Sequence, residues 1–78
     1  MSEPALSTIL EAILFGAGRS MKVTELSDLL DFPSEDIEES LQKLRKTIKR
    51  RENCALQLTE VSGRWIFEVR PELSDFLP

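Results

Sequence analysis

The chain has no histidine, no tyrosine and a single cysteine, Cys54, among its 78 residues. One thiol forms no internal disulfide, and without imidazoles or further thiols no thiolate or imidazole metal site can be assembled. A lone cysteine without histidine also lacks an obvious activating base, so Cys54 reads as a small residue at a helix exit. Basic excess is missing as well. Ten lysines and arginines face fourteen aspartates and glutamates, a net charge of −4 and the reverse of what a nucleic-acid-binding domain carries. No apolar run approaches the roughly 20 residues that cross a bilayer, and Met1-Ser2-Glu3-Pro4 lacks the basic region of a secretory signal. Glycine-rich phosphate loops and nucleophile–base pairs are absent, and acids such as Asp36 and Glu39 fall on a solvated helix face, so nothing points to an enzyme. The expectation is a protein of the reducing cytoplasm with no catalytic residues, no cofactor, no metal and no membrane partner.

What is present is patterning, enough for one small domain over residues 1–78. A first helix is expected from Pro4, with Ser2 or Glu3 as cap, to about Phe15, stopped by Gly16-Ala17-Gly18. On a helical wheel, Ala12, Ala5, Ile9, Ile13, Leu6, Leu10 and Leu14 fill an apolar arc of about 200°, too wide for one core. Ser20 to Val23 reads as a short extended segment. Thr24 then caps a helix holding Leu26, Leu29 and Leu30, which Asp31-Phe32-Pro33 breaks. Ser34 restarts the chain as the cap of a long helix reaching about Asn53, in which Ile37, Leu41, Leu44 and Ile48 lie within an arc of roughly 60°. Two alternating runs follow, Ala55 to Val61 and Arg64 to Arg70, joined by Ser62-Gly63. That turn pairs Val61 with Arg64, Glu60 with Trp65, Leu58 with Phe67 and Leu56 with Val69, which gathers the large apolar side chains on one face and makes Trp65 a core residue. Pro71 ends the second strand, and Ser74 to Pro78 is a short turn or the start of a linker.

Helix, short strand, helix, helix, strand, wing, strand is the order of a winged helix-turn-helix domain of the α+β class, with three helices and a β-hairpin wing beside a short third strand. The long helix would be the one that enters a DNA groove. Its first turns carry Glu35, Asp36, Glu38 and Glu39, while Lys43, Arg45, Lys46, Lys49, Arg50 and Arg51 occupy its far end. Acids at the N-terminus and bases at the C-terminus complement the macrodipole, and Glu39 with Lys43 forms an i,i+4 pair. The same acids repel phosphate at the turns that read bases, so specific nucleic-acid binding is not expected. The competing reading is a DNA-binding regulator that grips phosphates with the basic helix end and with Lys22, Arg64 and Arg70.

Leu10-Glu11-Ala12-Ile13-Leu14-Phe15-Gly16-Ala17-Gly18, then Met21, then Leu26-Ser27-Asp28-Leu29-Leu30, resembles the opening of the segregation and condensation protein B family. Leu58-Thr59-Glu60-Val61-Ser62-Gly63-Arg64-Trp65 and Val69-Arg70-Pro71-Glu72 look like that family's wing, although Arg64-Trp65 replaces the smaller or tyrosine-containing pair expected there. The resemblance implies a non-catalytic subunit of the prokaryotic SMC condensin complex, acting in chromosome condensation and segregation. It also implies two winged-helix domains per chain, homodimerisation, and contact with the kleisin subunit ScpA and through it with SMC at the nucleoid. On this view residues 1–78 are the N-terminal, self-associating domain of a two-domain protein. The wide arc of the first helix is the expected interface, through Leu6, Leu10, Leu14 and Ala17, extended by Val61 and Ile66 on the outer side of the hairpin.

Overall fold

Gly18, in the left-handed conformation at φ 63°, ends the first helix, α1 (Leu6–Ala17). In the computed structural model, which describes residues 3–78, the helix therefore starts and stops two residues later than the glycine cluster suggested. Gly16 and Ala17 remain helical, and only Gly18 must adopt the backbone that a side chain would strain. At its start no side chain caps the helix. Ala5 takes the cap position, its carbonyl accepting the amides of Thr8 and Ile9, so Glu3 has no capping role, and Ser2 lies outside the described residues.

After the two-residue strand β1 (Met21–Lys22), Lys22 rather than the expected Thr24 takes the cap position of α2 (Val23–Leu30), which leaves Thr24 inside the helix. The Glu25 carboxylate supplies the missing cap by accepting the Lys22 backbone N–H at 3.1 Å. Asp31, left-handed at φ 57°, closes α2. Pro33 then takes the cap position of α3 (Ser34–Arg50), with Ser34 as its first residue. β2 (Leu56–Val61) and β3 (Arg64–Val69) pair in the expected register, joined by Ser62 and Gly63, both at positive φ as a two-residue hairpin turn requires. β1 adds to the other side of β3, with Met21 opposite Trp65 and Lys22 opposite Arg64, giving the antiparallel order β1-β3-β2. Pro71–Phe76 forms a short 3-10 turn.

The core is apolar throughout. Leu10 and Leu14 of α1, Leu26 of α2, and Ile37, Leu41, Leu44 and Ile48 of α3 meet Met21, Leu58 and Trp65 from the sheet. Leu6, Ile13, Val23, Leu30, Cys54 and Phe67 pack around them. Trp65 is fully buried, as its strand register required. Its indole N–H finds no acceptor among the described residues, so the ring holds its place through packing, with the Arg45 guanidinium 5.4 Å above its centroid.

Candidate interaction surfaces

Three surfaces outside the core carry the residues that the sequence singled out. The first belongs to α1. Its leucines face inward: Leu10 and Leu14 are 0% and 1% exposed, and Leu6 is half-buried against the same cluster. This corrects the expected interface. Leu10 and Leu14 present no surface to a partner, because the bulkier aliphatic half of the apolar arc is what fills the space against α3 and the sheet. The other half turns outward. Ala5, Thr8, Ala12 and Phe15 are exposed, with Ile9 partly so. Phe15 is 70% exposed, and together with Thr8, Glu11 and Ala12 it lines a shallow depression. Phe15 lies beyond the edge of the arc on the wheel, and the signal that finds it is its position one turn from Ala12 and two from Thr8. Ala17 is exposed at the helix exit.

The second surface is the outer side of the hairpin. Val61 is 63% exposed at the wing tip, and Ile66 is half-buried opposite Thr59. Lys22 and Arg64 are cross-strand neighbours on β1 and β3, both exposed.

The third is a cleft of about 340 Å³ between α3 and β2, lined by Arg45, Lys49, Gln57, Leu58, Arg70 and Glu72. Arg70 is not the free phosphate-gripping group of the DNA-binding reading. Its Nε donates to the Leu56 carbonyl at 2.9 Å, and Nη2 donates to the carbonyls of Ile48 at 2.7 Å and Arg51 at 3.2 Å. It therefore ties the C-terminal end of α3 to β2. Nearby, Arg51 donates two hydrogen bonds to the Glu11 carboxylate at 2.8 and 3.0 Å, joining α3 to α1. That contact holds the Glu11 carboxyl below its ordinary pKa and raises that of Arg51. Glu25 is lowered too, first by the Arg19 guanidinium and then by the Lys22 amide. The expected Glu39–Lys43 pair forms at 3.4 Å on the exposed side of α3, where the acidic first turns remain unpaired with anything from β1 or the wing. Cys54 is half-buried at the exit of α3, its thiol directed at the Leu56 carbonyl. Among the described residues no three metal-ligating side chains come together, and no helix is long and apolar enough to cross a membrane.

Three helices with a short strand between the first two, and a β-hairpin after the third, define a winged helix-turn-helix domain. The chain belongs to the segregation and condensation complex subunit ScpB family, whose model matches residues 8–78. It is 33% identical over 69 residues to segregation and condensation protein B of Streptococcus pneumoniae strains Hungary19A-6 and CGSP14. The match takes in 87% of this chain and 36% of each relative, so the chain spans about a third of the curated relatives it matches. Its fold is that of a crystal structure of a dimer of the ScpB N-terminal domain complexed with ScpA peptide. The TM-score is 0.85 at 22% identity, over 96% of this chain and 89% of that one.

Proposed function

We propose that this chain is the N-terminal domain of a longer, non-catalytic accessory subunit of a cytoplasmic SMC condensin, and that it serves chromosome segregation by pairing with a second copy of itself. The observation that carries this is the outward side of α1, where an aromatic ring stands 70% exposed among small residues on a domain whose core is already complete. Exposed apolar surface of that kind marks a partner site, and a small, flat surround lets two helices approach closely. The structural neighbour, itself a dimer of an ScpB N-terminal domain with an ScpA peptide, supports both self-association and a kleisin partner for this chain. Through such a kleisin the subunit would reach the SMC heads. Val61 and Ile66 are free to extend either contact.

Phe15→Glu tests the reading. The variant is expected to keep its far-ultraviolet circular dichroism while its association weakens by about 30-fold or more, the consequence of losing a hot spot of about 2 kcal/mol. Sedimentation equilibrium measures this directly. A wild-type chain that stays monomeric at high concentration would remove the basis for self-association. Failure of the longer natural chain to retain a kleisin-like protein in a pull-down would remove the condensin role.

A further inference from the structure

Arg45 and Lys49 lie one turn apart on α3, at the spacing that brings side chains to about 5–6 Å of each other, and both line the cleft between α3 and β2. Neither is paired with an acid. Among the described residues the salt bridges join Arg19 to Glu25, Lys43 to Glu39 and Arg51 to Glu11. Arg45 is also held in place, because its guanidinium stacks 5.4 Å from the Trp65 centroid while Nη2 donates to Gln42 Oε1 at 2.6 Å. Its Nε and Nη1 have no acceptor among the described residues. A donor already fixed in this way loses little freedom when a ligand arrives. Arg70 adds a third positive charge to the lining, although its Nε and Nη2 are spent on backbone carbonyls. The remaining polar lining is the half-buried Gln57 amide and the exposed Glu72 carboxylate.

We propose that this cleft binds a small hydroxylated phosphate monoester, its phosphate held by Arg45 and Lys49 and a hydroxyl of its organic part donating to Glu72. A planar guanidinium beside a point-charge ammonium suits a dianionic phosphate, which presents several acceptor oxygens at once. Glu72 selects an ester over the bare anion. Inorganic phosphate would set its charge against that carboxylate, whereas an alcohol gives the carboxylate a donor. The cleft volume of about 340 Å³ stands at the small end of ligand sites and suits a compact molecule. A DNA duplex is disfavoured, since its phosphate lattice would also meet the acidic first turns of α3. The site is separate from pairing through α1, whose outer depression shares none of its lining residues.

The test is an NMR titration of the isotope-labelled chain with glycerol phosphate, inorganic phosphate and a short DNA duplex at matched ionic strength, with sodium chloride as the blank. Trp65 is the sole tryptophan, so its one indole N–H resonance reports on the Arg45 guanidinium over the ring. Glycerol phosphate is expected to shift that resonance and the Gln57 side-chain amide saturably, and to bind about tenfold more tightly than inorganic phosphate. Lys49→Gln should weaken the ester by about tenfold. Glu72→Ala should erase the preference for ester over inorganic phosphate, an outcome that a general change in surface charge would not give. Both positions are exposed, so both variants should keep a dispersed spectrum. No saturable shift, shifts that chloride reproduces, inorganic phosphate bound as tightly as the ester, tighter binding of the duplex, or unchanged affinity in Lys49→Gln would each overturn the proposal. Self-association is read separately by sedimentation, so either result stands without the other.

Discussion

α1 and α3 lie against each other and share one core, yet they leave opposite kinds of surface outside it. α3 gives four residues to the interior, Ile37, Leu41, Leu44 and Ile48, and covers the rest of its circumference with charge. α1 gives only Leu10 and Leu14 full burial and leaves alanines, a threonine and Phe15 facing out. A narrow stripe on a polar helix is used up by one core. A wide apolar arc is not, and the remainder stays apolar. Apolar content alone therefore does not locate an interface; what decides is which part of the arc the neighbouring elements consume.

The sharpest way to break that contrast is to put the same charge on each side of α1. Leu10→Glu buries an unpaired carboxylate in a site with no exposure, at a cost of several kcal/mol. In a domain whose single core supplies about 3–5 kcal/mol, the chain should unfold, seen as collapsed dispersion of the amide NMR spectrum. Phe15→Glu should leave that spectrum dispersed. Two folded variants would mean that α1 is not divided between core and outer surface. A smaller effect is expected at the far end of α3, where Arg70→Met keeps the aliphatic stem but strips hydrogen bonds from the carbonyls of Ile48, Arg51 and Leu56. The loss is about 1–3 kcal/mol, read as a lower urea midpoint at unchanged slope. If Arg70 were instead a free phosphate ligand, stability would stay put.

Much of this was legible in the order of residues. The hairpin register follows from Ser62-Gly63 and strict alternation, and the α3 stripe from four residues on one side of the wheel, because both patterns are local and have period to spare. Helix starts were less legible. The caps expected at Thr24 and Ser34 both lie inside their helices, since Glu25 reaches back to Lys22 at the start of α2, and Pro33 itself occupies the cap position of α3. Leu10 and Leu14, expected at an interface, fill the core instead, because choosing between the leucine half and the alanine half of the arc requires knowing where α3 and the sheet sit. Arg70's clamp was invisible for the same reason. Its acceptors at Ile48 and Arg51 come from a distant stretch of chain and are met only in the folded state.

The smallest expected effect lies at the junction of the two helices, where Arg51 of the α3 exit holds Glu11 of α1. The Arg51 hydrogen bonds keep the folded Glu11 carboxyl below its ordinary pKa, while in the unfolded chain it titrates at about 4.3. A carboxyl lowered on folding adds stability above its unfolded pKa and loses it as pH falls through the lower folded value. Glu11→Gln removes that contribution. Because both side chains are more than a third exposed, the neutral-pH difference between wild type and variant should be no more than about 1 kcal/mol after screening. It should shrink toward zero below pH of about 4 and in high salt. Urea denaturation of both proteins at matched concentration, to hold any association constant, measures it. A difference that persists unchanged into acid would mean that Glu11 acts through packing at the α1 depression rather than through Arg51, and the two helices would then be joined by the core alone.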